Sequence, residues 1–147
     1  MKKLAPHGVD LRKGRFSEAN RIYHITTVSY QRQPLFTDFE MAQCVIYALR
    51  MSDAIQQTNT LAYVLMPDHL HWLFQLQSDD LSSAVRRVKS KSAFEINRCC
   101  GGHGQRWQRG FHDHALRSNE DVKKVARYIV ANPLRAELVE SIGDYPY

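Results

Sequence analysis

The chain has 147 residues, a net charge of +5 and a pI near 9.2, a length that fits one domain with its own core and needs no disulfide or structural metal to fold. Its apolar runs fall far short of the roughly 20 residues a membrane-spanning helix needs, and "MKKLAPHGVDLRKGRF" has no apolar stretch behind its lysines, which points to a cytoplasmic protein. Three cysteines, Cys44, Cys99 and Cys100, two of them adjacent, do not make the pattern of a secreted disulfide scaffold and read as reduced thiols.

In chain order, a basic segment over residues 1–20 leads into "RIYHITTVSY" (21–30), whose β-branched and aromatic residues predict a strand. His24 shares a face of it with Ile22 and Thr26 and reads as structural. Thr37 and Glu40 form a capping-box pattern before a helix over 38–56 with Phe39, Ala42, Val45, Ile46 and Leu49 on one side. "TLAYVLM" and "HLHWLFQL" predict two strands joined at Pro67 and Asp68, a residue pair suited to a turn.

Leu81, Ala84, Val85 and Val88 restart a helical period, after which "CCGGHGQ" predicts a loop. Its thiols and imidazole lack the paired C-x-x-C spacing of a zinc site. "HDHALR" predicts a short strand. Ser118 and Asp121 form a second capping-box pattern, opening a helix that runs to Asn132 and stops at Pro133, with a short helix through Leu138. The order strand, helix, two strands, helix, strand, helix predicts an α+β, ferredoxin-like split βαβ fold, an antiparallel sheet with helices on one face, as a single unit over 1–147.

Within "MPDHLHWLFQL" (66–76), alternation places Leu70, Trp72, Phe74 and Leu76 in one apolar row and His69 and His71 on the opposite face. Two imidazoles at that spacing can converge on one divalent ion, or each can satisfy itself by hydrogen bonds in a half-buried strand. A third ligand must come from elsewhere. The last predicted helix buries Val122, Val125, Ala126 and Ile129, and one flank presents Tyr128 and, a turn later, Asn132. Taken singly, Tyr128 reads as a boundary aromatic and Asn132 as a C-terminal cap.

From Arg86 to Arg109 there are seven Lys or Arg (86, 87, 89, 91, 98, 106, 109) against one acid, Glu95. Arg86, Arg87, Lys89 and Lys91 occupy the polar half of their helix and fit phosphate tracking as well as solvation. Arg12, Lys13 and Arg15 form a second basic cluster near the N-terminus. Trp107, between Arg106 and Arg109, could stack a base or edge the core. His112 and His114 repeat the spacing of the first histidine pair.

"MPDHLHWL" followed by "WQRGFHDHALRSNEDVKKVARYIVANPLRAELV" resembles the REP-associated tyrosine transposases, relatives of the small single-tyrosine insertion-sequence transposases within the HUH endonuclease superfamily. The similarity runs from "GRF" at residue 14 to the final "DYPY"; relatives commonly continue past that point. It implies that His69 and His71 are metal ligands, that Tyr128 is the nucleophile and that Asn132 completes the metal site, where insertion-sequence relatives often carry glutamine. It also implies a Mg²⁺ or Mn²⁺ cofactor, hairpin-bearing single-stranded DNA as substrate, DNA contacts from the basic residues, and His112 and His114 as active-site neighbours. Relatives work as monomers or homodimers. The same resemblance fits two other functions: a domesticated hairpin-binding protein that no longer cuts, and a metal-dependent hydrolase that uses water in place of Tyr128.

Overall fold

The computed structural model describes residues 17–78, 80–117, 121–135 and 146–147. Its elements are β1 (Ile22–Val28), α1 (Phe39–Ala54), β2 (Thr58–Met66), β3 (His69–Leu76), α2 (Leu81–Cys100), β4 (His112–Ala115), α3 (Val122–Val130) and α4 (Asn132–Arg135), with short 3-10 turns at Tyr30–Arg32 and Leu35–Thr37. The strands lie in the order β2-β3-β1-β4, every neighbouring pair antiparallel. β3 therefore sits between β1 and β2, and β1 between β3 and β4. Each βαβ unit is split by a strand of the other, which is the predicted α+β topology.

Two helix caps differ from where the sequence pattern puts them. The N-cap of α1 is Asp38, whose carboxylate accepts from Met41 N at 3.1 Å, so Thr37 is not the cap. Asp121 caps α3 by accepting from Lys123 N and Lys124 N; Ser118 lies outside the described residues. The "CC" of "CCGGHGQ" belongs to the last turn of α2, because the helix ends only at Gly101, whose φ of 70° is the left-handed conformation that glycine adopts freely at a helix C-terminus. At the other end of the chain α3 stops at Val130, and Asn132 opens a separate short helix in which Pro133 is tolerated at the first turn. The predicted continuation to Leu138 lies outside the described residues.

Alternation in β3 divides the packing. Leu70, Trp72, Phe74 and Leu76 meet Val45, Ala48 and Leu49 of α1 and Leu81, Ala84, Val85 and Val88 of α2 in the main core. Trp72 is fully buried and its indole N–H donates to Thr60 Oγ1 at 2.9 Å, which removes the cost of burying that donor. The helices do not all share one face. α3 packs on the other side of the sheet, where Ile129 joins Val64 and Met66 of β2, Leu73 of β3 and Leu116. That second face is the one that carries the histidines.

Candidate active site

Strand register assembles the site. Thr26 of β1 and Val64 of β2 flank His71, and Val28 and Met66 flank His69. On the far side of β1, His24 pairs with His114 and Thr26 with His112. Residues directly opposite in antiparallel strands share a face, so His24, His69, His71, His112 and His114 form one band across the sheet, with Asp113 on the reverse side.

The two imidazoles of β3 stand edge to face, their ring centroids 4.9 Å apart. His69 Nδ1 lies 2.7 Å from Asp68 Oδ1, and the second oxygen of that carboxylate accepts from Arg32 Nη1 at 3.0 Å. Burial pushes the Asp68 carboxyl up, but the hydrogen bonds and positive charge from His69 and Arg32 outweigh it and leave the pKa below the ordinary 3.8. His71 Nδ1 lies 3.1 Å from His24 Nε2 and 3.2 Å from Thr26 Oγ1. Burial, and then the charge of His114, lower the His24 pKa, which favours its neutral form.

His24 was not legible as a site residue from the strand alone. Period-two alternation puts it on the polar face of β1, but only the β1–β3 register shows that it meets His71.

Tyr128 is on α3, over the histidine face, with its side chain 60% exposed beside fully buried Ile129. Asn132 departs from the expected position one turn along the same helix flank: its carboxamide nitrogen donates to Ile129 O at 3.2 Å, the bond of a C-terminal cap. Among the described residues no three His, Cys, Asp or Glu side chains form a metal cage. The donors present still fit a divalent ion. With Nδ1 of His69 and His71 both engaged, Nε2 of each ring would be the donor to such an ion, together with the Asn132 carboxamide oxygen. A two-nitrogen, one-oxygen set leaves positions for phosphate oxygens and suits an ion such as Mn²⁺ that accepts both donor types.

The basic residues of α2 divide between two surfaces. Arg86 and Lys89 face the 104–111 loop, where with Arg106, Arg109 and Phe111 they line a groove of about 420 Å³. Arg87 and Lys91 line the opposite side with Ala48 and Met51 of α1 and Ile55 just past its end, and Lys91 is paired with Glu95 at 3.1 Å. Lys89 donates to the carbonyls of Gln108 and Gly110, each at 2.7 Å, and so ties the loop to the helix. Arg106 donates to Asn97 Oδ1 at 2.7 Å. Trp107 is a core residue: it is 5% exposed, packs on Phe36 and donates to Ser92 Oγ, which leaves no face for a base. Arg12, Lys13 and Arg15 lie outside the described residues. Burial, and then the nearby Cys99, push the Cys44 thiol up to about 11, which keeps it protonated at neutral pH.

The histidine pair thus lies on the sheet face that also carries α3 and Tyr128. The family model "Transposase IS200 like" matches residues 17–132, and the chain belongs to that family. It is 28% identical over 117 residues to the REP-associated tyrosine transposase of Escherichia coli K12, covering 78% of this chain and 66% of that protein. It is 31% identical over 99 residues to a Haemophilus influenzae protein described as a REP-associated tyrosine transposase, covering 60% of this chain and 56% of the relative. The chain thus spans less than two thirds of the length of these curated relatives. In fold it is similar to a solved REP-associated tyrosine transposase bound to a REP hairpin, with a TM-score of 0.74 at 23% identity over all of this chain and 81% of the other. A Deinococcus radiodurans structure described as a transposase gives a TM-score of 0.56 at 19% identity, over 88% and 95% of the two chains.

Proposed function

We propose that this chain is a metal-dependent transposase that cleaves and rejoins hairpin-bearing single-stranded DNA. The observation that carries the reading is the pair His69 and His71, each with Nδ1 engaged, on the sheet face over which α3 brings Tyr128. The phenol oxygen of Tyr128 attacks the scissile phosphorus, forming an O–P bond as the bond to the 3′ oxygen breaks. The products are a 5′-phosphotyrosyl link and a free 3′-OH. Because the link preserves the phosphodiester energy, a DNA 3′-OH can reverse the step and rejoin strands without ATP.

A phenol of pKa about 10 is only about one part in a thousand ionised at neutral pH. His69, His71 and Asn132 would hold a divalent ion, which would supply the charge that polarises the phosphate. Arg86 and Arg109 in the α2 groove, with Arg12, Lys13 and Arg15, supply phosphate contacts, while His112 and His114 border the substrate on the same sheet face. We place the protein in the cytoplasm, as one unit over 1–147 that acts as a monomer or homodimer.

The Asn132 carboxamide turned onto Ile129 O favours a second reading, a hairpin-binding relative that no longer cuts. Incubation of the full chain with a labelled hairpin-bearing single strand and Mn²⁺ separates the two. The transposase reading requires a covalent protein-DNA adduct on a denaturing gel; tight hairpin binding with no adduct supports the binding-only reading.

A further inference from the structure

We propose that Asp68 and His24 are positioning residues for the histidine pair, Asp68 fixing His69 and His24, with Thr26, fixing His71, so that both Nε2 atoms face the ion. The inference rests on the reading of His69 and His71 as ligands and adds the two devices that make them so.

The neutral imidazole has one N–H and one lone pair, and whichever nitrogen carries the proton cannot bind metal. A ligand that must present Nε2 therefore needs a partner for the proton on Nδ1. Each ring has its own. The Asp68 carboxylate stands 2.7 Å from His69 Nδ1 and can only accept, which selects the Nδ1–H form of that ring.

The carboxylate is itself fixed in three ways. Arg32 Nη1 donates to its other oxygen at 3.0 Å, the Asp68 carbonyl accepts from Ser29 N at 2.9 Å, and the preceding Pro67 carbonyl accepts from Phe36 N at 3.0 Å. The β2–β3 turn is thereby pinned to the segment after β1. Arg32 keeps this contact from a φ of 53°, a region a non-glycine residue occupies only when its surroundings hold it there.

For His71 the partners come from the neighbouring strand. Thr26 is its register partner, and His24, two residues back on the same face of β1, brings Nε2 within 3.1 Å of His71 Nδ1. A neutral His24 carrying its proton on Nδ1 offers that Nε2 lone pair as the acceptor. The two devices are independent, one a turn carboxylate and the other a cross-strand pair, so each can be removed without the other.

The test uses the metal-free full chain labelled with ¹⁵N-histidine, whose side-chain spectra report which nitrogen is protonated, followed by titration with Mn²⁺ by calorimetry. In the wild type both His69 and His71 show the Nδ1–H form. Asp68→Asn mixes the forms of His69 alone, His24→Phe with Thr26→Val mixes those of His71 alone, and each weakens Mn²⁺ binding by about 10- to 100-fold. Wild-type rings protonated on Nε2, or variants with unchanged tautomers and Mn²⁺ affinity, overturn the positioning roles. Wild-type rings in the Nδ1–H form that bind no Mn²⁺ overturn instead the ligand reading on which the proposal rests.

Discussion

Ile129→Ala tests how α3 is attached to the sheet. Ile129 is the buried residue of α3, fully enclosed among Val64, Met66, Leu73 and Leu116. Truncating a buried isoleucine to alanine costs about 2–5 kcal/mol. The nine residues Val122–Val130 are fewer than the roughly 12–15 an isolated helix needs, so the loss falls on α3 before the rest of the fold. At about 1.4 kcal/mol per factor of ten, amide exchange in α3 should accelerate by about 30-fold at the low end and about 4,000-fold at the high end. The row Leu70, Trp72, Phe74 and Leu76 belongs to the separate core on the other face and should keep its protection. Hydrogen exchange read by mass spectrometry resolves the two regions. Equal acceleration in β3 and α2, or none in α3, would refute the claim that Ile129 is the principal anchor of the tyrosine helix.

Three further outcomes follow from the charges and hydrogen bonds. His24 has a folded pKa below its ordinary 6.5, so the unfolded chain binds the proton more readily; the stability His24 contributes is full above about pH 6.5 and is lost as pH falls toward its folded value. Urea midpoints should therefore drop less between about pH 7.5 and pH 5.5 in His24→Gln than in the wild type, and identical drops would contradict this. Arg109→Ala should lower the slope of log hairpin affinity against log salt by about 0.7, the share of one single-strand phosphate contact. Lys89→Ala should leave that slope unchanged while loosening the 104–111 loop, because its ammonium is spent on the Gln108 and Gly110 carbonyls; a slope change equal to that of Arg109→Ala would return Lys89 to the phosphate surface.

The fold was legible because its signals are local. Alternation in "HLHWLFQL" and the helical period of Leu81, Ala84, Val85 and Val88 define the two sides of the main core without any tertiary information. The capping errors have equally local causes: Thr37 and Asp38 are both competent caps, and only the backbone chooses between them. What could not be read was anything set by register or by the sheet's second face. Nothing in "RIYHITTVSY" says that His24 lies against His71, nor that Asp68 turns its side chain onto its neighbour while holding Arg32, 36 residues earlier. The basic run from Arg86 looked uniform because composition does not record which flank of a helix meets a loop and which meets another helix. The helical period continues the α3 flank to Asn132, but a new helix opens there, with Pro133 in its first turn.

The central claim is that Tyr128 is the nucleophile of a DNA-cleaving reaction. Trypsin cuts after Arg127 and Arg135, so the residue sits in the peptide "YIVANPLR", where it is the sole hydroxyl-bearing side chain. Mass spectrometry of the adduct formed with a hairpin-bearing single strand and Mn²⁺ should find that peptide carrying a 5′-phosphorylated nucleotide, and Tyr128→Phe should yield no adduct. A nucleotide attached to any other peptide, or an adduct that survives Tyr128→Phe, would contradict the account.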